Sequence, residues 1–177
     1  MPKTQIYLTG FMGTGKSTIL NCLHEICGLE KIEMDEQIVR EQGMSISDIF
    51  AKKGEEYFRN LETDLVKKIS AMDNIVVSCG GGTVMRQCNV DEMKKNGTIV
   101  LLTAEPQTVY QRVRNSHNRP LLEENMNPEY IGRLMEERKP KYEAAADFIV
   151  KTDGRSAKEI CLEIKECLKI DNNSKKI

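Results

Sequence analysis

The sequence predicts an α/β fold over residues 1–170, a five-stranded parallel sheet between two layers of helix, with 171–177 left as a polar tail. Three observations carry the prediction. A glycine-rich loop, Gly10-Phe11-Met12-Gly13-Thr14-Gly15-Lys16-Ser17-Thr18, separates a strand pattern from a helix pattern. Two compact apolar runs, Ile75–Cys79 and Thr98–Thr103, have the composition of strands buried on both faces. Strand and helix then alternate five times with short connections, as a parallel sheet covered on both faces requires.

Taken in order, Thr4–Thr9 reads as the first strand, and Ser17–Ile26 as a helix with Ile19, Leu20, Leu23 and Ile26 at helical spacing. Glu30–Asp35 reads as a second strand ending in acids, followed by a helix over Glu36–Glu41 that Gly43 stops. Ser45 and Ser47 are candidate caps for a short helix, Asp48–Lys53, closed by Gly54. Glu55–Ala71 is strongly helical, with Phe58, Leu61, Leu65, Val66 and Ile69 along one face. Past the strand at Ile75 and the run Gly80-Gly81-Gly82, Asn89 is expected to cap a helix over Val90–Asn96. Pro106 opens a helix reaching about Arg114, and Asn115–Asn127 reads as a polar loop. Asn127 caps and Pro128 starts a long helix that Pro140 is expected to kink or interrupt. Phe148–Val150 is the last strand, and a helix capped by Ser156 runs to about Ile170.

Gly10 and Gly15 stand five apart and precede Lys16 and Ser17, the spacing of a phosphate-binding loop. Glycines let backbone N–H groups crowd onto phosphate oxygens at the start of a helix. Lys16 supplies a point charge for β- and γ-phosphates, and the Ser17 hydroxyl can sit on Mg²⁺. Gly13, Thr14, Gly15, Lys16, Ser17 and Thr18 are therefore the nucleotide-binding candidates, and a nucleoside triphosphate is the expected ligand. Lys plus Arg total 26 and Asp plus Glu total 27, a balance with no electrostatic footprint for nucleic acid or an anionic membrane. No apolar run approaches the ~20 residues of a membrane span, and the first strand leaves no room for a signal peptide. The six cysteines form no C-x-x-C pair and read as reduced thiols of a cytoplasmic chain, and two histidines are too few for a histidine metal site.

In a parallel sheet ligands bind beyond the carboxyl ends of the strands, so the residues there are the ones to weigh. Glu33 and Asp35, read as alternating on an extended segment, are expected to share a side and serve Mg²⁺ or take a hydroxyl proton. Gly80-Gly81-Gly82 allows close approach of a ligand to backbone N–H groups. Arg59, Arg119 and Arg138 carry planar guanidinium groups that fork onto carboxylate or phosphate, although spacing alone does not bring them together.

These residues, with Gly54-Glu55-x-x-Phe58-Arg59 and Arg119-Pro120-Leu121-Leu122, resemble the shikimate kinase family in order and over residues 5 to about 168. The resemblance implies the P-loop NTPase-type, NMP-kinase-like fold with a lid over about 112–127. It implies transfer of the ATP γ-phosphate to the 3-hydroxyl of shikimate with Mg²⁺, by a cytoplasmic monomer in aromatic amino acid biosynthesis. Matched by position, Asp35 binds the shikimate hydroxyls and can act as base. Arg59 and Arg138 clamp the carboxylate, and Phe58 with Gly80, Gly81 and Gly82 completes the pocket. Arg119 closes over the phosphates, Arg112 stacks on adenine, and the Thr152–Arg155 loop, with Arg155, assists. Ser17 and Glu33 lie on the metal side.

Glu33 departs from the family's usual Asp, which a water-bridged role tolerates better than direct ligation. A kinase for another acceptor, of gluconate or nucleotide type, keeps the loop and lid but does not predict the triple glycine together with Arg59 and Arg138. A GTPase needs an Asn-Lys-x-Asp motif, which the chain lacks. A catalytically silent relative is expected to lose Lys16, Asp35 or Arg119, and the chain has all three.

Overall fold

The computed structural model describes residues 4–114 and 127–170. Five parallel strands form one sheet in the order β2-β3-β1-β4-β5. The strands are β1 (Gln5–Thr9), β2 (Glu30–Glu33), β3 (Ile75–Ser78), β4 (Thr98–Thr103) and β5 (Phe148–Lys151). Between and after them lie α1 (Lys16–Cys27), α2 (Met34–Gln42), α3 (Ile46–Lys53), α4 (Glu55–Ile69), α5 (Gln87–Lys94), α6 (Pro106–Val113), α7 (Pro128–Ala145) and α8 (Ala157–Leu168).

The period of two along each strand divides the core into two layers. Ile6 and Leu8 of β1 pack with Val76, Val100, Leu102 and Val150 against Ile19, Leu20 and Leu23 of α1 and Ile160 and Ile164 of α8. Tyr7, Val77, Ile99 and Leu101 face the other way, onto α2 to α7. That second layer includes Phe58, Leu65, Val66 and Ile69, the apolar face expected of α4. Strand β1 is central, with Tyr7 paired to Val77 on one side and Ile99 on the other. Chain connections leave it towards β2 and return past it to β4, so a crevice opens at its carboxyl end.

Several boundaries differ from expectation. β2 ends at Glu33, opposite the last residue of β3, Ser78, so no ladder remains for the chain to extend along. Met34 turns inward, fully buried, and α2 begins there, with Asp35 and Glu36 favourably placed in its first turn. Glu33 and Asp35 therefore do not alternate on one extended segment. Asn89 does not cap α5; it lies within the helix, buried, and its Nδ2 donates to the Thr83 carbonyl at 2.8 Å. A 3₁₀ turn, Thr83–Met85, occupies the approach instead. Ser45 caps α3 through Asp48 N, and Ser47 falls inside the helix. Asn127 caps α7 through Tyr130 N at 2.8 Å, with Pro128 next, as expected. Pro140 does not interrupt α7, which continues to Ala145. A proline removes one internal bond, and Tyr142 and Ala145, both buried, hold the following turns to the core. The final polar tail lies outside the described residues.

Candidate active site

The loop after β1 is shaped by close approach. Gly10 has φ of 142°, and a Cβ there would lie 2.4 Å from the Leu102 carbonyl oxygen, so only glycine passes. Thr14 closes the loop onto Phe11, its N–H and hydroxyl both donating to the Phe11 carbonyl, at 3.3 and 2.7 Å. Lys16 Nζ donates to the carbonyls of Gly10 at 2.8 Å and Phe11 at 3.0 Å, which holds the ammonium over the centre of the loop. Gly15, at φ of 97°, is the N-cap of α1 and supplies no side-chain cap, and the first turn has no acid. The amino end of α1 thus faces the crevice with N–H donors suited to an anion.

Beside it, the Ser17 hydroxyl donates to Glu33 Oε1 at 2.9 Å, and the Ser78 side chain also bonds Glu33. Burial raises the Glu33 pKa, and the two serines hold it down against that. A hydroxyl and a carboxylate oxygen at the phosphate end of the crevice form a hard-oxygen set. They fit Mg²⁺, which takes one or two protein oxygens and completes its shell with phosphate and water. Among the described residues no cluster of three acidic, His or Cys side chains offers an all-protein metal cage.

The opposite end is built on Gly80-Gly81-Gly82, which follows β3. None of the three has positive φ; what they lack is Cβ atoms, and charged side chains occupy that space. A Cβ on Gly80 would lie 2.8 Å from Glu62 Oε2 and 3.1 Å from Asp35 Oδ1. On Gly81 it would lie 3.4 Å from Arg138 Nη1, and on Gly82 only 2.3 Å from Arg59 Nη1. The three glycines therefore let Asp35, Arg59 and Arg138, which come from three helices, meet at one loop. The sequence expects close approach by a ligand here, and the structure adds close approach by the protein's own charged groups, with all three glycines still lining the cleft.

Arg59 is held from α4 itself, donating to Glu62 Oε1 at 2.6 Å and Glu55 Oε1 at 3.3 Å, with its guanidinium 5.3 Å from the Phe58 ring centre. Burial pulls the Arg59 pKa down, but the carboxylates of Glu62 and Glu55 outweigh it and leave it raised. Glu62 is 1% exposed and also accepts from the Thr83 hydroxyl at 2.7 Å. Burial raises its pKa, against the pull of Arg59 and Thr83. Sequence reasoning missed Glu62. It stands at 58-62-65-69 spacing within the apolar stripe of α4, and an acid in a buried phase, three residues after an arginine, was the available signal.

Arg112 of α6 donates to the Gly13 carbonyl at 3.0 Å and Thr152 Oγ1 at 3.2 Å, joining the phosphate loop to the segment after β5. Arg155 pairs with Glu163 at 2.6 Å and donates to the Lys151 carbonyl at 2.9 Å. One cleft of about 640 Å³ runs from Arg112 and Arg155 past the phosphate loop to Phe58, Arg59, Gly80–Gly82 and Arg138. It is lined by Gly13, Thr14, Gly15, Lys16, Ser17, Thr18, Glu33 and Asp35 as well. Arg119, with most of the expected lid, lies outside the described residues. A cleft with phosphate-binding geometry at one end and an acid beside two arginines at the other can hold a polyphosphate against a small hydroxylated anion.

Comparison with known proteins agrees. The family model for shikimate kinase matches residues 12–169. A shikimate kinase of Persephonella marina is 42% identical over 159 residues, 90% of this chain and 95% of that protein. The structure of the Acinetobacter baumannii shikimate kinase in complex with shikimate superposes with a TM-score of 0.89 at 30% identity, covering 99% of this chain and 97% of that one. A gluconokinase from Sinorhizobium meliloti, at 18% identity and a TM-score of 0.57, shares the fold alone.

Proposed function

The chain belongs to the shikimate kinase family, and from that membership we propose that it transfers the γ-phosphate of ATP to the 3-hydroxyl of shikimate, releasing shikimate 3-phosphate and ADP. The reaction serves aromatic amino acid (chorismate) biosynthesis. The observation that carries the proposal is the cleft itself, in which Lys16 and the start of α1 face Asp35, Arg59 and Arg138 around the glycine run.

In this reading Gly13, Thr14, Gly15, Lys16, Ser17 and Thr18 take the β- and γ-phosphates, while Arg112 and Arg155 border the base and ribose. Arg59 and Arg138 fork onto the shikimate carboxylate, and Phe58 covers the ring. Asp35 binds ring hydroxyls and accepts the proton of the attacking one. Arg119 closes over the transferring phosphoryl group and excludes water. Ser17 and Glu33 would hold Mg²⁺, which when bound neutralises charge on the β- and γ-phosphate oxygens. Phosphoryl transfer depends chiefly on positioning and charge, so the clamp that fixes the acceptor matters as much as the base. The proposal extends to a cytoplasmic monomer without nucleic-acid or membrane partners. The balanced charge supports the lack of nucleic-acid and anionic-membrane partners, and no described helix is long and apolar enough to cross a membrane.

ADP release with Mg²⁺-ATP, measured with shikimate, with gluconate and with neither, tests the proposal. Release that requires shikimate, stops with a chelator and returns with excess Mg²⁺ is the expected result. Release driven by gluconate, or indifferent to both acceptors, overturns it.

A further inference from the structure

Tyr142 belongs to none of the motifs above. It lies on α7 four residues after Arg138, so the two share a face of the helix, and it is 5% exposed. Its hydroxyl donates to the Gly81 carbonyl, and the Arg138 guanidinium bonds the same hydroxyl. A Cβ on Gly81 would lie 3.4 Å from Arg138 Nη1 and 3.6 Å from the Tyr142 hydroxyl, so all three groups meet at one point. The guanidinium also lies 5.9 Å from the centre of the Phe11 ring, in the phosphate loop.

The two arginines of the clamp are thus held by different chemistry. Arg59 is fixed by two carboxylates, which cancel much of its field. Arg138 has no carboxylate within ion-pair distance among the described residues. A phenol orients a guanidinium without neutralising it, and leaves its charge for an anionic ligand. We propose that Tyr142 is a positioning residue that holds Arg138 against Gly81, and that recognition of the acceptor carboxylate rests on this pair more than on Arg59. The inference deepens, and rests on, the reading of the cleft as a shikimate site. Burial raises the Tyr142 pKa although Arg138 pulls it back, so the phenol keeps its proton and stays neutral.

Tyr142→Phe removes the hydroxyl and keeps the ring. In steady-state assays the KM for shikimate rises about tenfold, the KM for ATP stays within about twofold, and kcat falls by less than KM rises. In an Arg138→Met background the same substitution adds nothing, because the group it positions is gone. An equal rise in both KM values, or a full tenfold rise in the Arg138→Met background, overturns the proposal. A second readout needs no acceptor. In protein labelled with ¹⁵N-arginine, the Arg138 side-chain signal loses its order in Tyr142→Phe while that of Arg59 does not change; an unaltered Arg138 signal also overturns it. Absence of shikimate-dependent ADP release by the parent protein defeats the acceptor reading alone, and the arginine signals still decide the role of Tyr142.

Discussion

Lys16 illustrates how one side chain joins local geometry to chemistry. Its ammonium bonds the Gly10 and Phe11 carbonyls, which keeps a long, mobile side chain aimed where the loop N–H groups converge. Lys16→Ala removes the charge but not the closure of the loop, since Thr14 still bonds Phe11 through both its N–H and its hydroxyl. Turnover is expected to fall by about 10²–10³, the scale of losing one preorganised charge donor, with the melting temperature within about 4 °C of the parent. Near-parental turnover would remove the loop from catalysis. Lys16 and Ser17 were legible in the sequence because a phosphate loop is contiguous chain. Glu62 was not, because its meaning depends on Thr83 and Gly80, which reach it only through folding.

At the scale of elements, the segment from Gly80 through the 3₁₀ turn is tied on both sides. Arg86 reaches Glu56 at 2.8 Å and Asn60 at 2.9 Å on α4, while Lys141 of α7 donates to the Met85 carbonyl at 3.0 Å. This places the glycine run as a spine between the two helices that carry Arg59 and Arg138. Gly82 has φ of −102°, which alanine also adopts, and the atoms nearest a methyl group there all belong to the Arg59 guanidinium. Gly82→Ala is expected to keep its melting temperature within about 4 °C while displacing Arg59 from Glu62, raising the KM for shikimate about tenfold and sparing that for ATP. Gly81→Ala, with its nearest neighbour at 3.4 Å, has the smaller effect. Equal effects on both substrates, or a larger effect at Gly81, would contradict this account. Asp35 carries a related lesson. The sequence reading puts it on an extended segment with Glu33, yet it reaches Gly80 from the first turn of α2, because the edge strand stops where its neighbour does.

Across the whole molecule, the central position of β1 brings the phosphate loop between the acceptor clamp and the segment after β5. Arg112 ties that loop to Thr152, and α6 and α7 pack together, so the chain on either side of the expected lid is anchored beside the phosphate loop. Arg119 falls between those anchors in sequence. If it stabilises the transferring phosphoryl group, Arg119→Ala lowers kcat by about 10³ while the Kd for ATP changes by less than about fivefold. Equal losses in kcat and in ATP affinity would assign Arg119 to ground-state nucleotide binding instead.

The sequence by itself determined the parallel α/β architecture, the phosphate loop and most helix boundaries, because those signals are periodicities and caps read within a few neighbouring residues. Asn127 with Pro128 and Ser156 each named their helix starts correctly for that reason, whereas Ser45 was one of two candidate caps and α3 starts at Ile46 rather than Asp48. Residue spacing did not bring Asp35, Arg59 and Arg138 together around three glycines, which only the family resemblance implied, and only the tertiary structure added Glu62 and Tyr142 to them. No local rule brings α2, α4 and α7 to one loop; burial of their apolar faces on the same side of the sheet does, and the polar groups at the ends of those faces are carried into contact.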